Sequence, residues 1–407
     1  MCIEIIIGLM CIVEQQTLLG VIIILIYPIV WAHVVTLPLI IGRELIVKPR
    51  HQRQIDESAQ IFARHPGIHI AVAGSYGKTS MKELLLTVLS EGKKVAATPA
   101  NKNVAIAHAQ FARKLTGDED ILIIEYGEGA PGDVKRLART THPTHAVITG
   151  VAPAHLDQYK TVEAAGRDIF SVADAISDPH HVYVNAESGP ARPFIQKAFE
   201  SYTAEGALGW KVSNSTLSIE GISFTMKKEK KSLSLQSGLI GRHQVGPLVF
   251  VAALAHELGL TDQQITRGIA KTKPFEHRMQ PYTLAGAWII DDTYNGNIEG
   301  IRVGTQLLKE LPGKRKVYIT PGLVDQGAET IAVHKEMGEL IAAAHPDVVV
   351  LMNHSVTPYI KEGLKNSGYQ GEVLVEDDPL SFYTNMQLFV AAGDLIVMQN
   401  DWTDNYA

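Results

Sequence analysis

At 407 residues, with 46% hydrophobic and 20% charged residues, the chain has a globular composition but exceeds one ordinary core, so two or more domains are expected. A net charge of −6 excludes the basic balance of a nucleic-acid binder, and the one lysine-rich stretch, Lys-Lys-Glu-Lys-Lys at 227–231, reads as the cap of a solvated hairpin. Both cysteines, Cys2 and Cys11, lie in the apolar N-terminus, which excludes a cysteine-based zinc site in the body and fits a reducing compartment.

The N-terminus departs from a globular pattern. From Leu18 to Ile41 there is no Asp, Glu, Lys or Arg. As a helix this run would span roughly 36 Å, against a hydrocarbon thickness of about 30 Å, and Pro28 and Pro38 are kinks that a membrane helix tolerates. A buried core helix is the competing reading, against which the length and uniformity of the run argue. A cleaved signal peptide fits poorly, because no basic segment precedes the run and no small-residue cleavage site stands out. Glu4 and Glu14 lie before it, whereas Arg43, Lys48, Arg50 and Arg53 follow it. The positive-inside rule then puts the body in the cytoplasm. Residues 1–65 are accordingly expected to form a single-pass anchor in the inner (cytoplasmic) membrane and a basic linker.

From Ile68 onward short apolar runs alternate with helical stretches. Residues 68–73, 94–98, 120–126, 145–150 and 181–185 are apolar with little alternation, the pattern of parallel strands buried on both faces. Helices are expected at 78–91, 103–115, 131–140 and 161–176, and single helices between strands imply a doubly wound α/β sheet. Residues 208–240 switch to period-two alternation with polar turns, which reads as a small antiparallel insertion. A helix is expected near 246–258. A second α/β rhythm begins at 287–292, so the body divides into 66–283 and a Rossmann-like unit at 284–407.

The first strand of the body ends in Gly74-Ser75-Tyr76-Gly77-Lys78-Thr79-Ser80, where a helix begins. Strand, glycine turn and helix form the geometry of a phosphate cradle: glycines let successive N–H groups converge on an anion, and the helix N-terminus adds about half a positive charge. Lys78 would reach the terminal phosphates of ATP, and the Thr79 hydroxyl would hold Mg²⁺. The strict P-loop consensus places Gly where this chain has Val72. Glu125 ends a later apolar strand, where open α/β sheets gather ligands, and could share the metal with Thr79. His155 follows another strand end, in a loop. His142, His145, His180, His181 and His334 make no metal-ligand spacing and read as solvated or helix-end residues.

These motifs, in this order, resemble the Mur ligases, ATP-dependent amide-bond-forming enzymes of bacterial cell-wall synthesis. The resemblance spans about 67–345 and is nearest to the branch that adds a D-Ala-D-Ala dipeptide. It rests on Gly74–Glu83, Thr98-Pro-Ala-Asn-Lys-Asn103, Glu125–Asp133, Ala152–Tyr159, Gly241–Pro247, His277–Tyr282 and Ile289–Gly300. It implies that Lys78 and the loop amides, with Asn101 nearby, hold the nucleotide, and that Thr79 and Glu125 bind one Mg²⁺ with His155 helping to bind a second. It further implies that Arg278 reaches the γ-phosphate and that Asp292, Asn295 and Asn297 close over the adenosine. A substrate carboxylate would become an acyl phosphate, which an amino acid or dipeptide amine would displace to form an amide.

The sequence also departs from the family pattern. Ile169 stands where the family carries a carbamylated lysine, fourteen residues after the loop histidine, with Arg167 and Asp168 close by. Gln244 and Pro247 replace adenine-contacting asparagines, and the C-terminal Val-Met-Gln-Asn-Asp-Trp replaces a Lys-Gly-Ser ending. The apolar N-terminus stands where the family has a UDP-binding domain, so a lipid-linked or otherwise membrane-proximal acceptor becomes an alternative to a UDP-linked one. Poly-γ-glutamate synthase ligase subunits show a similar arrangement and leave a second ligase reading open; a nucleotide-binding membrane scaffold is a third.

Overall fold

Strand β1 (Ile68–Ala73) is the axis around which the larger sheet is built. In the computed structural model, which describes residues 17–99, 102–153, 156–294, 296–324 and 326–399, β1 pairs in parallel with β3 (Ile121–Glu125) on one side and β4 (His145–Ile148) on the other. β2 (Val95–Ala97) closes the β3 edge, while β5 (Val182–Asn185) and β6 (Glu200–Thr203) continue the parallel order beyond β4. The alternate side chains of β1 enter two different cores. Ile70 and Val72 pack with helices α3 (Lys78–Leu89), α8 (Val245–Glu257) and α9 (Asp262–Ala270). Ala71 and Ala73 face the side of α2 (Lys48–Arg64), α4 (Ala105–Ala112), α5 (Asp133–Thr141) and α7 (Val162–Phe170). Burial on both faces is why these strands lack alternation in the sequence. α6 (Leu156–Tyr159) is a single turn ahead of α7.

The alternating stretch is antiparallel as expected, and it extends the same sheet. β7 (Gly206–Ala207), β8 (Trp210–Ser218), β9 (Gly221–Lys228) and β10 (Lys231–Ser237) add antiparallel strands to β6, giving ten strands in one sheet. One face of these strands (Trp210, Phe224, Met226, Leu235) is buried in the core that holds α8, and the other meets solvent, which explains the period of two. The lysine-rich stretch forms the turn of the β9–β10 hairpin.

The second sheet has the order β11-β12-β16-β13-β14-β15, parallel except for β11. Its strands are β11 (Gln280–Leu284), β12 (Ala287–Asp292), β13 (Lys316–Thr320), β14 (Val348–Met352), β15 (Glu372–Glu376) and β16 (Leu395–Gln399). Helices α10 (Ile298–Glu310), α11 (Thr330–Ala343) and α12 (Thr357–Asn366) connect them. Two histidines read as solvated are in fact buried. His334 accepts a hydrogen bond from the Leu323 N–H at 2.9 Å and donates to the Thr330 carbonyl at 2.6 Å. His145 stacks on His181 with ring centroids 4.1 Å apart, and burial holds it neutral by lowering its pKa to about 4. Backbone partners satisfy His334, and the Thr144 hydroxyl, 2.9 Å from Nδ1, together with the His181 ring satisfies His145; spacing along the chain cannot show this.

At the N-terminus, α1 (Thr17–Gly42) runs through a π-helical turn, Arg43–Val47, into α2. The apolar run is not a core helix: Val34, Val35 and Leu39 are 52%, 55% and 68% exposed. One helix among the described residues is long and apolar enough to cross a membrane. α2 is amphipathic instead, burying Ser58 and Phe62 against the body and pairing Glu57 with Arg113 at 3.0 Å.

α11 and α12 cross at two glycines. A Cβ on Gly363 would lie 2.1 Å from the Lys335 carbonyl oxygen, and one on Gly338 would lie 2.3 Å from that of Ile360. Gly363→Val is therefore expected to destabilise the second unit by about 1–3 kcal/mol or more through overpacking, measured as a lower midpoint in urea with the β1 unit's transition unchanged.

Candidate active site

The carboxyl ends of β1, β3 and β4 open on one crevice, the usual ligand position in open α/β sheets. Gly74 leaves β1 with φ +143°, and a Cβ there would lie 2.2 Å from the Thr149 Oγ1 at the end of β4. Ser75 N–H donates to the Gly150 carbonyl at 2.9 Å, and Thr149 Oγ1 donates to the Tyr76 carbonyl. Gly77, left-handed at φ +71°, is the N-cap residue of α3. The turn is thus fastened to β4, which presents the first N–H groups of α3 to the crevice.

Lys78 and Thr79 open that helix. The Lys78 ammonium donates to the Gly74 carbonyl at 2.5 Å and to Glu128 Oε1 at 2.8 Å. Thr79 Oγ1 donates to Glu125 Oε1 at 3.1 Å, so these two residues converge as the sequence suggests. Glu125 itself is fixed on several sides. Its N–H donates to Thr98 Oγ1 at 3.0 Å, and its carbonyl takes a hydrogen bond from His108 Nε2 at 2.9 Å. Burial lowers the His108 pKa to about 4, which keeps that ring neutral and suited to donating one proton.

Sequence reasoning missed Lys82 and Glu128. The Lys82 ammonium is fully buried, 3.5 Å from Glu125 Oε2, and neither atom makes a hydrogen bond among the described residues. Its spacing of four from Lys78 was the available signal, because it puts both ammoniums on one face of α3. Glu128 sits in a glycine-rich loop with no periodicity to mark it. Glu125 Oε1 beside the Thr79 hydroxyl gives a pair of oxygen donors at the crevice that fits a hard cation such as Mg²⁺, while Oε2 lies against Lys82. Among the described residues no three His, Cys, Asp or Glu side chains form a complete metal cluster. His155, Asn101 and Asn295 lie outside the described residues.

The crevice is a cavity of about 490 Å³, walled by Ser75–Thr79, Glu125 and Glu128 on one side and by Arg278, Tyr294 and Asn297 on the other. Arg278 stacks on Tyr294, its guanidinium carbon 4.4 Å from the ring centroid. Both neighbours of Arg278 take left-handed backbone, His277 at φ +57° and Met279 at +48°, the kind of strain that persists where other contacts enforce it. Here they do: Met279 N–H donates to Asp292 Oδ1 at 3.1 Å and Tyr294 N–H to the His277 carbonyl at 3.2 Å. Asn297 caps α10 by accepting from the Gly300 N–H at 3.0 Å, which leaves its amide N–H groups to serve the cavity.

Beyond Tyr76 and Gly77 lies a second cavity of about 280 Å³ that also contacts Ser80, Asp292 and Asn297. Met81, Leu84, Tyr202, Pro247 and Val303 give it apolar walls suited to a flat ring. Gln244 and Pro247, the two departures from asparagine, both line it. Asp292 accepts from Gln399 Nε2 at 2.8 Å as well as from Met279. Ile169 does not enter the crevice: it is fully buried in the core beneath α7. Asp168 turns away too, accepting from Gly132 N–H and the Tyr159 hydroxyl, each at 2.8 Å, and so anchors the Glu128 loop.

Residues 72–255 match the Mur ligase middle domain. The chain is 25% identical over 361 residues to UDP-N-acetylmuramoyl-tripeptide--D-alanyl-D-alanine ligase of Escherichia coli K12, covering 87% of this chain and 78% of that one. It is 28% identical over 363 residues to the ligase of the same name from Mycobacterium leprae, covering 81% and 70%. In fold it is similar to MurF ligase from Thermotoga maritima in complex with ADP, with a TM-score of 0.75 and 21% identity over 86% of this chain and 80% of that one.

Loss of water around Asp292 raises its carboxyl pKa from 3.8 to about 7. Because the folded chain holds that proton more tightly than the unfolded one, the stabilisation is complete below the unfolded pKa and is lost as pH rises through about 7. Chemical denaturation from pH 5 to 8 is expected to show wild-type stability falling relative to Asp292→Asn, which lacks this titration.

Proposed function

We infer from the match of residues 72–255 to the Mur ligase middle domain that this chain is a Mur ligase, an ATP-dependent amide ligase of the type that adds D-Ala-D-Ala to UDP-N-acetylmuramoyl tripeptide. The observation that carries the reading is one crevice with Lys78, Thr79 and Glu125 on one wall and Arg278 on the other, each wall from a different sheet. Such an arrangement supplies what phosphoryl transfer requires, namely positioning and charge neutralisation.

In this reading the Gly74–Ser80 amides and Lys78 hold the β- and γ-phosphates. Thr79 and Glu125 are the oxygen donors for Mg²⁺, which would supply neutralisation of phosphate charge. His155 is proposed as a further metal donor, and Asn101 as a nucleotide contact. The adenosine takes the apolar cavity, with Asp292, Asn295 and Asn297 above it. A carboxylate oxygen of the acceptor attacks the γ-phosphorus, the bond to ADP breaks, and an acyl phosphate forms. The incoming amine attacks the acyl carbon, inorganic phosphate leaves, and the amine loses its proton as the amide forms. Arg278 lies where it can follow the γ-phosphate during transfer, and approach of the two units excludes water from the acyl phosphate.

We further propose that α1 is a membrane anchor, with the body in the cytoplasm and the chain divided as 1–65, 66–283 and 284–407. The anchor makes a membrane-proximal acceptor the alternative to a soluble UDP-linked one, since confinement raises effective concentration. The burial of Ile169 favours a second reading, a nucleotide-binding scaffold without ligase turnover.

Purified full-length chain in detergent, given ATP, Mg²⁺, UDP-N-acetylmuramoyl tripeptide and D-Ala-D-Ala, is expected to release phosphate only when both substrates are present. The pentapeptide product should appear in the mass spectrum; nucleotide binding without product from this or any glutamyl acceptor supports the scaffold instead. Lys78→Ala is expected to lower turnover by about 10²–10³-fold, the scale of removing one preorganised charge contact. Cell fractionation should place the chain in the membrane pellet, resistant to high salt and released by detergent.

A further inference from the structure

The Lys78 ammonium, 12% exposed, and the Glu128 carboxylate, 4% exposed, form an ion pair at 2.8 Å inside the crevice. A buried charge is tolerated when it is paired, and breaking the pair leaves the other partner uncompensated. Resting on the reading of the Gly74–Ser80 turn as a nucleotide site, we propose that Glu128 is a specificity-determining residue that makes nucleotide binding conditional on a divalent cation.

The lysines and Arg136 in and around the crevice are already paired with acids. Arg136 pairs with Asp133 at 3.1 Å, and Lys82 lies against Glu125 and Glu83. Lys78 is paired to Glu128, so a phosphate that recruits Lys78 takes it from that carboxylate. Glu128 cannot then retreat with its loop, because the backbone is held on both sides. Gly127 N–H donates to the Asn103 carbonyl at 2.8 Å, and Ala130 N–H donates to Asp133 Oδ2 at 2.9 Å. The Ala130 carbonyl accepts from the Tyr159 hydroxyl at 3.1 Å. The carboxylate therefore stays within reach of the phosphates, beside Glu125, in a site poorly screened by water. A nucleotide arriving without a cation meets this repulsion; one arriving with Mg²⁺ brings the charge that offsets it. Arg278 is across the crevice and engaged with Tyr294, so it does not replace Lys78 at Glu128.

The test is titration of the full chain with ADP, once with Mg²⁺ and once with EDTA, read by calorimetry. Wild type is expected to bind ADP about tenfold or more tightly with Mg²⁺, the size of one poorly screened charge contact. In Glu128→Gln, metal-free binding should tighten about fivefold or more with Mg–ADP affinity nearly constant, so that the ratio collapses. Glu128→Asp should keep a ratio near wild type. Thermal melting without nucleotide checks folding, and Glu128→Ala gives a second neutral variant. An unchanged ratio in both neutral variants overturns the proposal. So does equal wild-type affinity for the two forms, or a loss confined to Mg–ADP, which would make Glu128 a metal donor. Wild type that binds ADP under neither condition defeats the nucleotide reading itself.

Discussion

The crevice depends on how closely the Gly74 turn approaches the end of β4. No side-chain carbon fits at Gly74, because Thr149 Oγ1 already occupies that space. That closeness lets one threonine hydroxyl reach the carbonyls of both Ala73 and Tyr76, and lets Ser75 bond Gly150. A wider turn would lose these bonds and let the first turn of α3 drift away from the sheet. Lys78, Thr79 and Glu125 converge because the helix start and the end of β3 are both referred to β1, the strand between β3 and β4.

Around this frame the polar groups fall into two layers. Thr79, Glu125, Lys78 and Glu128 face the cavity, and a buried shell of Lys82, Thr98, His108 and Asp168 holds them or their loops. The shell is composed for that work: His108 is kept neutral, Thr98 accepts a single backbone N–H, and Asp168 takes two donors. On the far wall the Asp292 carboxylate and the Tyr294 N–H hold the backbone of the strained segment that carries Arg278.

Much of this was legible in the sequence for reasons of periodicity. Strands buried on two faces read as unbroken apolar runs, and residues at their carboxyl ends, Gly74 and Glu125, could be placed in the crevice from that alone. The phosphate turn was legible because glycine, lysine and threonine have separate physical tasks there. Arg278 and the Asp292–Asn297 segment came from family resemblance, and the structure brings Arg278, Asp292 and Asn297 together at the second cavity. What escaped was set by tertiary contact. Lys82 reads as an ordinary polar helix residue until β3 is laid beside α3. Glu128 reads as a loop acid until Lys78 is seen to need a partner. Strands β8–β10 alternate whether they form a separate insertion or lengthen the main sheet; only their pairing through β6 and β7 decides between the two. His334 reads as a helix residue, whereas its two backbone bonds make it internal.

The run of helix from Thr17 to Arg64 has a mechanical meaning. With no loop between the apolar half and the half docked on the body, it is a shaft and not a string. If the upper half sits in lipid, a change in its tilt is passed to the docked half through unbroken helix, the π-helical turn at Arg43–Val47 included. The crevice would then stay within a bounded distance of the bilayer, and a membrane-held substrate would be met by lateral travel along that plane.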